Sequence, residues 1–194
     1  SNRFYGPSTM RLGIEKSRNL MTVRLAQTIG MDVVAETAMR FGIVRDMQRT
    51  LAASLGSVET TLMRMTTGYA MLVNGGKRIT PTLIDRIQDR TGKVVFRHDE
   101  RSCATCTASE WHDGMAVPLL PDTRETVTSP ESAYQIVSML QGVVERGTGA
   151  KLRAVGKPLA GKTGTTNDYV DAWFVGFAPD LAVGVYTGFD EPSS

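Results

Sequence analysis

Helical and strand-like patterns sit at opposite ends of this chain. Up to about residue 80, apolar side chains recur at spacings of three and four, while the last third alternates residue by residue. That segregation implies an α+β fold, with a helical subdomain first and an antiparallel sheet last. A chain of 194 residues amounts to one domain or most of one, since domains commonly run to about 100–200 residues.

In the first part, residues 17–27 read as a helix, with Leu20, Val23 and Leu25 as its buried stripe. A second helix is expected over 32–41, closed by Gly42. The clearest begins near Ser57-Val58-Glu59, repeats Leu62, Met65, Tyr69 and Leu72, and ends at Asn74-Gly75-Gly76. Eight of the methionines fall in this block and read as core filler. After Thr80-Pro81, residues 83–88 and 93–97 read as a hairpin closed by Asp89-Arg90-Thr91-Gly92. Residues 98–128, with Pro118 and Pro121, read as a loop excursion. Ser129-Pro130 then opens a helix with Ile136, Leu140 and Val143 on its inner face and Gly147 as its stop. Strands follow over 158–165, 171–178 and 181–189. The division is therefore one partial domain over 1–194: a helical block at 3–80, a hairpin and loop at 81–128, and a helix with strands at 129–194.

Charge excludes several functions. Lysine and arginine number 22 against 20 acidic residues, and no basic run exceeds two residues, so no stripe tracks a phosphate backbone. No apolar run approaches the ~20 residues of a membrane span, and the first twenty residues carry too many charges for a signal peptide.

Residues 156–163, Gly156 to Thr163, match the nucleotide-binding pattern G-x-x-x-x-G-K-[ST] letter for letter. That motif requires a helix to open at its Lys-Thr. Here Gly164-Thr165-Thr166-Asn167-Asp168 and the strand-like Ala172-Trp173-Phe174-Val175 follow instead, and Pro158 removes a loop amide. The alternative places Lys162-Thr163-Gly164 on a strand, with Lys162 and Gly164 on one face. Gly164 would then let a ligand approach, Lys162 would supply charge and Thr165 a hydroxyl for a carboxylate, and an extended peptide could add alongside.

Ser17-Arg18-Asn19 at a helix start reads alone as a cap. Followed by a strand-borne K-T-G, it matches the later part of the signature of penicillin-binding proteins and serine β-lactamases. With Tyr5-Gly6-Pro7, Leu55-Gly56-Ser57, Asn74-Gly75-Gly76, Arg146-Gly147-Thr148-Gly149, Gly161 to Thr166 and Asp171 to Phe177, the chain resembles class A penicillin-binding proteins of the 1A type along its length. The resemblance implies a partial penicillin-binding-protein/β-lactamase-like transpeptidase fold and a parent that cross-links peptidoglycan stem peptides. It also implies roles: Ser17 relays a proton, Asn19 binds the substrate amide, and Lys162 tunes the charge around Ser17. Thr163, Gly164 and Thr165 form the carboxylate-binding strand, the Thr165 amide serving as half of an oxyanion hole. Periplasmic location, anchorage by an N-terminal segment of the parent, stem peptides and β-lactams as ligands, and no cofactor follow in the same way.

The family's nucleophile lies in S-x-x-K, and no serine stands three residues before any of the six lysines. The segment alone is therefore expected to be inert, its partner being the preceding part of the same protein and its unpaired sheet edges inviting self-association. Two other readings compete: a β-lactamase relative, for which no deacylating base motif is evident, and a non-catalytic binding module. Finally, His98, Cys103, Cys106 and His112 hold every cysteine and histidine of the chain. They read either as a small zinc site, as a Cys103–Cys106 disulfide with surface histidines, or as a reduced pair; no metal is assigned.

Overall fold

A computed structural model describes residues 5–101, 103, 106, 110, 112–166 and 170–189. Residues up to Ile79 and from Thr126 onward form one compact unit, and Thr80–Glu125 forms a second.

The first unit runs α1 (Met10–Glu15), α2 (Asn19–Ile29), α3 (Met31–Arg40), α4 (Leu62–Val73), α5 (Pro130–Arg146) and strands β3 (Ala160–Thr165), β4 (Ala172–Ala178) and β5 (Leu181–Thr187). Single 3-10 turns at Leu51–Leu55 and Ala150–Val155 fill two connections. The strands form an antiparallel sheet in the order β3-β4-β5, with Lys162 opposite Val175 and Gly164 opposite Trp173. Its inner face packs on the helices: Leu140 and Val143 of α5 meet Ala160 of β3 and Phe177 of β4, with Tyr69 and Leu72 of α4 closing the cluster. Because Ala160 lies in this core, strand alternation turns Lys162 and Gly164 toward the helices as well.

Helix α5 follows its sequence signals closely. Ser129 accepts a hydrogen bond from the Ser132 amide, Pro130 occupies the first turn, and Gly147 ends the helix. The long helix α4 starts later than the spacing suggests. Thr61 is its cap, bonding the Arg64 amide, while the preceding Thr60 hydroxyl bonds the Ile43 carbonyl and holds that residue off the helix. In α2 only Ala26 is fully buried. Leu20 and Leu25, expected inside, are 59% and 41% exposed, while Met21 and Val23 are half-buried. The methionines also divide: Met47 and Met71 are buried, whereas Met10 and Met63 are exposed. The short helix α1 and the 3-10 turns carry too few residues to show a period and escaped the sequence reading.

The second unit contains the hairpin of β1 (Arg86–Gln88) and β2 (Val94–Arg97), pairing Ile87 with Phe96. Asp89 organises its turn by accepting bonds from the Thr91 amide and hydroxyl and from the Lys93 amide. Cys103 and Cys106 form a disulfide, so neither sulfur is a free thiolate for the zinc reading. Among the described residues no group of three or more His, Cys, Asp or Glu side chains is arranged to hold a metal ion.

Candidate active site

The site begins where α1 hands over to α2. Three residues, Lys16, Ser17 and Arg18, turn the chain, and Ser17 does so in the left-handed region at φ 51. The Ser17 amide bonds the Ile14 carbonyl at 3.1 Å and the Arg18 amide bonds that of Gly13 at 2.9 Å, which closes the helix end. A non-glycine residue in this conformation costs about 1–2 kcal/mol and persists only where its surroundings hold it.

What holds it is visible on both sides. The Lys162 ammonium donates to the Ser17 hydroxyl at 2.8 Å and to the Thr163 carbonyl at 2.8 Å, joining residues 145 apart in sequence. Lys162 is half-buried, and that burial pushes its pKa below the ordinary lysine value. The Thr163 hydroxyl shares a 2.8 Å hydrogen bond with that of Thr148, just beyond the end of α5. Thr165 is exposed at the end of β3. Past it, the Thr166 amide donates to the Asp171 carbonyl and the Asp171 amide to the Thr166 hydroxyl, closing the connection to β4. Trp173, opposite Gly164, is partly exposed and meets Tyr186 in a tilted ring contact with centroids 4.9 Å apart.

The structure thus brings together Ser17, Lys162 and Thr163. Asn19 stands exposed as the first residue of α2, one helical position beyond the turn, without a described hydrogen bond to either Ser17 or Lys162. Gly164 is open on its inner side save for the Trp173 Cβ, 3.3 Å from where a side chain would begin. Chemically, a half-buried amine bonded to a serine hydroxyl can pass a proton through that hydroxyl, and the adjoining threonines offer donors to an anionic ligand. The nucleotide-loop alternative lacks its context, because Lys162 and Thr163 lie within an antiparallel strand and no helix opens there.

The sequence reading named Arg146 and Thr148 only within a motif, without a role, and missed Glu15. Glu15 is only 3% exposed, and Arg146 grips its carboxylate with two bonds, Nη2 to Oε1 at 2.6 Å and Nε to Oε2 at 3.1 Å. The Thr148 amide bonds the Glu15 carbonyl at 3.1 Å. Besides that motif, Gly142 inside a helix and Gly147 at its end mark close approach of another segment.

With this geometry in place the comparisons are decisive. The family model for the penicillin binding protein transpeptidase domain matches residues 1–189. The chain belongs to that family. Among its relatives, penicillin-binding protein 1A of Rickettsia bellii is 47% identical over 191 residues, covering 98% of this chain and 24% of the relative. The crystal structure of penicillin-binding protein 1A from Haemophilus influenzae superposes with a TM-score of 0.80 at 33% identity, covering 98% of this chain and 31% of that one. The PonA1 protein of Mycobacterium tuberculosis, solved in complex with penicillin V, shares the fold with a TM-score of 0.75 at 21% identity, over 98% of this chain and 51% of that one. The chain spans about a quarter of the length of the curated relatives it matches. Its helices and antiparallel sheet accordingly form part of the penicillin-binding-protein and β-lactamase-like fold.

Proposed function

We propose that this chain is the later portion of a peptidoglycan DD-transpeptidase, supplying the proton-relay and carboxylate-binding halves of a site whose nucleophilic serine lies in a preceding segment. The 2.8 Å hydrogen bond from Lys162 to Ser17 carries the reading. It joins the S-x-N turn and the K-T-G strand as a transpeptidase requires, and family membership supports the same conclusion.

In this reading the nucleophile's oxygen bonds to the carbonyl carbon of a D-alanyl-D-alanine end, and its proton passes toward the leaving amine through the Ser17 hydroxyl. The carbon–nitrogen bond breaks, D-alanine leaves, and the acyl-enzyme is released by the amine of a second stem peptide. A β-lactam takes the same path, its ring amide opening. Lys162 keeps positive charge beside Ser17, Thr163 and Thr165 bind the terminal carboxylate, Asn19 meets the substrate amide, and the Thr165 amide faces the developing oxyanion. Parent and site face the periplasm, where the Cys103–Cys106 disulfide is stable. Among the described residues no helix is long and apolar enough to cross a membrane.

Intact-mass measurement after incubation with a penicillin tests this, using the 194-residue chain and a form extended upstream through S-x-x-K. A single penicilloyl adduct on the extended form alone is expected. An adduct on the short chain would overturn the assignment of the nucleophile, and no adduct on either would favour a non-catalytic module.

A further inference from the structure

Glu15 is buried beside the site, yet takes no part in the chemistry just described. Its side chain is 4% exposed and meets two charged partners, Arg146 and Arg11. Arg146 forks onto both oxygens, and Arg11, with its Nη1 3.9 Å from Oε1, also binds Ser138 of α5 through the carbonyl at 2.8 Å and the hydroxyl at 3.1 Å. Next to this pair, the Lys16 amine donates to the Arg146 carbonyl, 2.6 Å away. Apart from the Arg11–Glu15 contact within α1, these bonds tie α1 and the turn after it to α5.

Helix α5 is shaped to receive this carboxylate. A Cβ on Gly142 would fall 2.0 Å from Glu15 Oε1, and one on Gly147 would fall 2.3 Å from the Glu15 carbonyl oxygen. Apolar residues already join α1 to the core through Ile14, and a buried ion pair adds little stability over an apolar contact of the same size. What a forked arginine adds is direction, because its two parallel bonds fix the angle of the group it holds.

The direction matters because Ser17 follows two residues later. The Glu15 backbone carbonyl accepts from the Thr148 amide, the Thr148 hydroxyl meets that of Thr163, Lys162 precedes Thr163, and its amine bonds Ser17, while the Glu15 carboxylate is fixed by Arg146. The contacts close a ring with Glu15 at its base. We propose that Glu15 is a positioning residue that, through Arg146 and Thr148, holds the Ser17 hydroxyl against Lys162 for the acyl-transfer step. This rests on the transpeptidase reading and assigns that site a support outside its motifs.

The test uses the full-length protein with its upstream S-x-x-K segment. Acylation by a penicillin is resolved into the dissociation constant of the first complex and the first-order acylation rate, alongside the melting temperature. Glu15→Gln is expected to lower the acylation rate on the order of 10- to 100-fold, the cost of misplacing a reacting group by about 1 Å, with the dissociation constant little changed. Val127→Ala, which hollows a separate cluster with Phe41 and Met71, serves as a destabilised control and should leave the rate alone. Thr148→Ser should retain the rate and Thr148→Val lose much of it, a comparison that stands even where Glu15→Gln fails to fold. A wild-type rate in Glu15→Gln, or an equal loss in Val127→Ala, would overturn the proposal. Should the wild-type protein take no penicillin, the transpeptidase reading fails instead. The crystal structure of Glu15→Gln then decides the positioning claim: a Ser17–Lys162 contact stretched beyond about 3.5 Å supports it, and an unchanged contact overturns it.

Discussion

Replacing Gly142 by alanine sets two known energies against each other. In a helix interior alanine is favoured over glycine by about 1 kcal/mol, so propensity alone predicts a more stable protein. The new Cβ would, however, lie 2.0 Å from Glu15 Oε1, 2.6 Å from its Cδ and 2.8 Å from Arg146 Nη2. The carboxylate must leave its place, and it is enclosed on the α5 side. Breaking a buried ion pair costs about 3–5 kcal/mol. Because the Arg146 side chain is 52% exposed, the lower figure applies, and the net loss is about 2 kcal/mol. For a protein of this size that is a fall of roughly 4–8 °C in melting temperature. Repeating the substitution in a Glu15→Ala background removes the obstacle, so there Gly142→Ala should stabilise by the propensity amount, read as a double-mutant cycle in urea. If Gly142→Ala stabilises the wild-type background as well, the carboxylate moves aside freely, and the idea that α5 fixes its position is wrong.

Tyr69 packs its ring on Phe177 at 6.4 Å between centroids, and burial pushes its phenol pKa up to about 12 from an ordinary 10. The folded protein therefore holds this proton more tightly than the unfolded chain. The stabilisation is complete below pH 10 and is lost as pH rises toward 12, by on the order of 3 kcal/mol. Urea midpoints at pH 9.5 and 11.5 should diverge less in Tyr69→Phe than in wild type, and an identical divergence would refute the burial argument. At Ser17, alanine and glycine both remove the hydroxyl and differ in the Cβ that φ 51 disfavours. Ser17→Gly should be about 0.5–1 kcal/mol more stable than Ser17→Ala after allowance for glycine's unfolded entropy. Equal thermal stabilities would place the strain elsewhere.

Much of the fold was legible because its elements carry local punctuation. Ser129, Pro130 and Gly147 delimit α5 by capping chemistry that acts within a turn, and Pro179-Asp180 separates β4 from β5. Ser17, Lys162 and Thr163 were legible as motifs. Where the sequence reading failed, the deciding interaction was distant: Thr60 is held by Ile43, which delays α4, and in α2 Ala26 is buried where Leu20 was expected. Glu15 illustrates the limit most clearly. A glutamate at the end of a six-residue helix reads as a solvated charge, and only the approach of Arg146, 131 residues away, explains its burial.

The separation of Ser17 and Lys162 in sequence raises the question of how a 2.8 Å contact between them is kept. Small errors in each intervening element would add if the chain were the ruler. They do not add here, because both partners are measured from α5. Strand β3, which carries Lys162, is seated on α5 by Ala160 against Leu140 and Val143. The turn that carries Ser17 is seated on the same helix's last turns by Glu15, Arg146 and Gly142. The first seating is apolar and non-directional, so it fixes distance; the second is ionic and forked, so it fixes angle. A proton relay needs both, and one close-packed helix supplies the common frame.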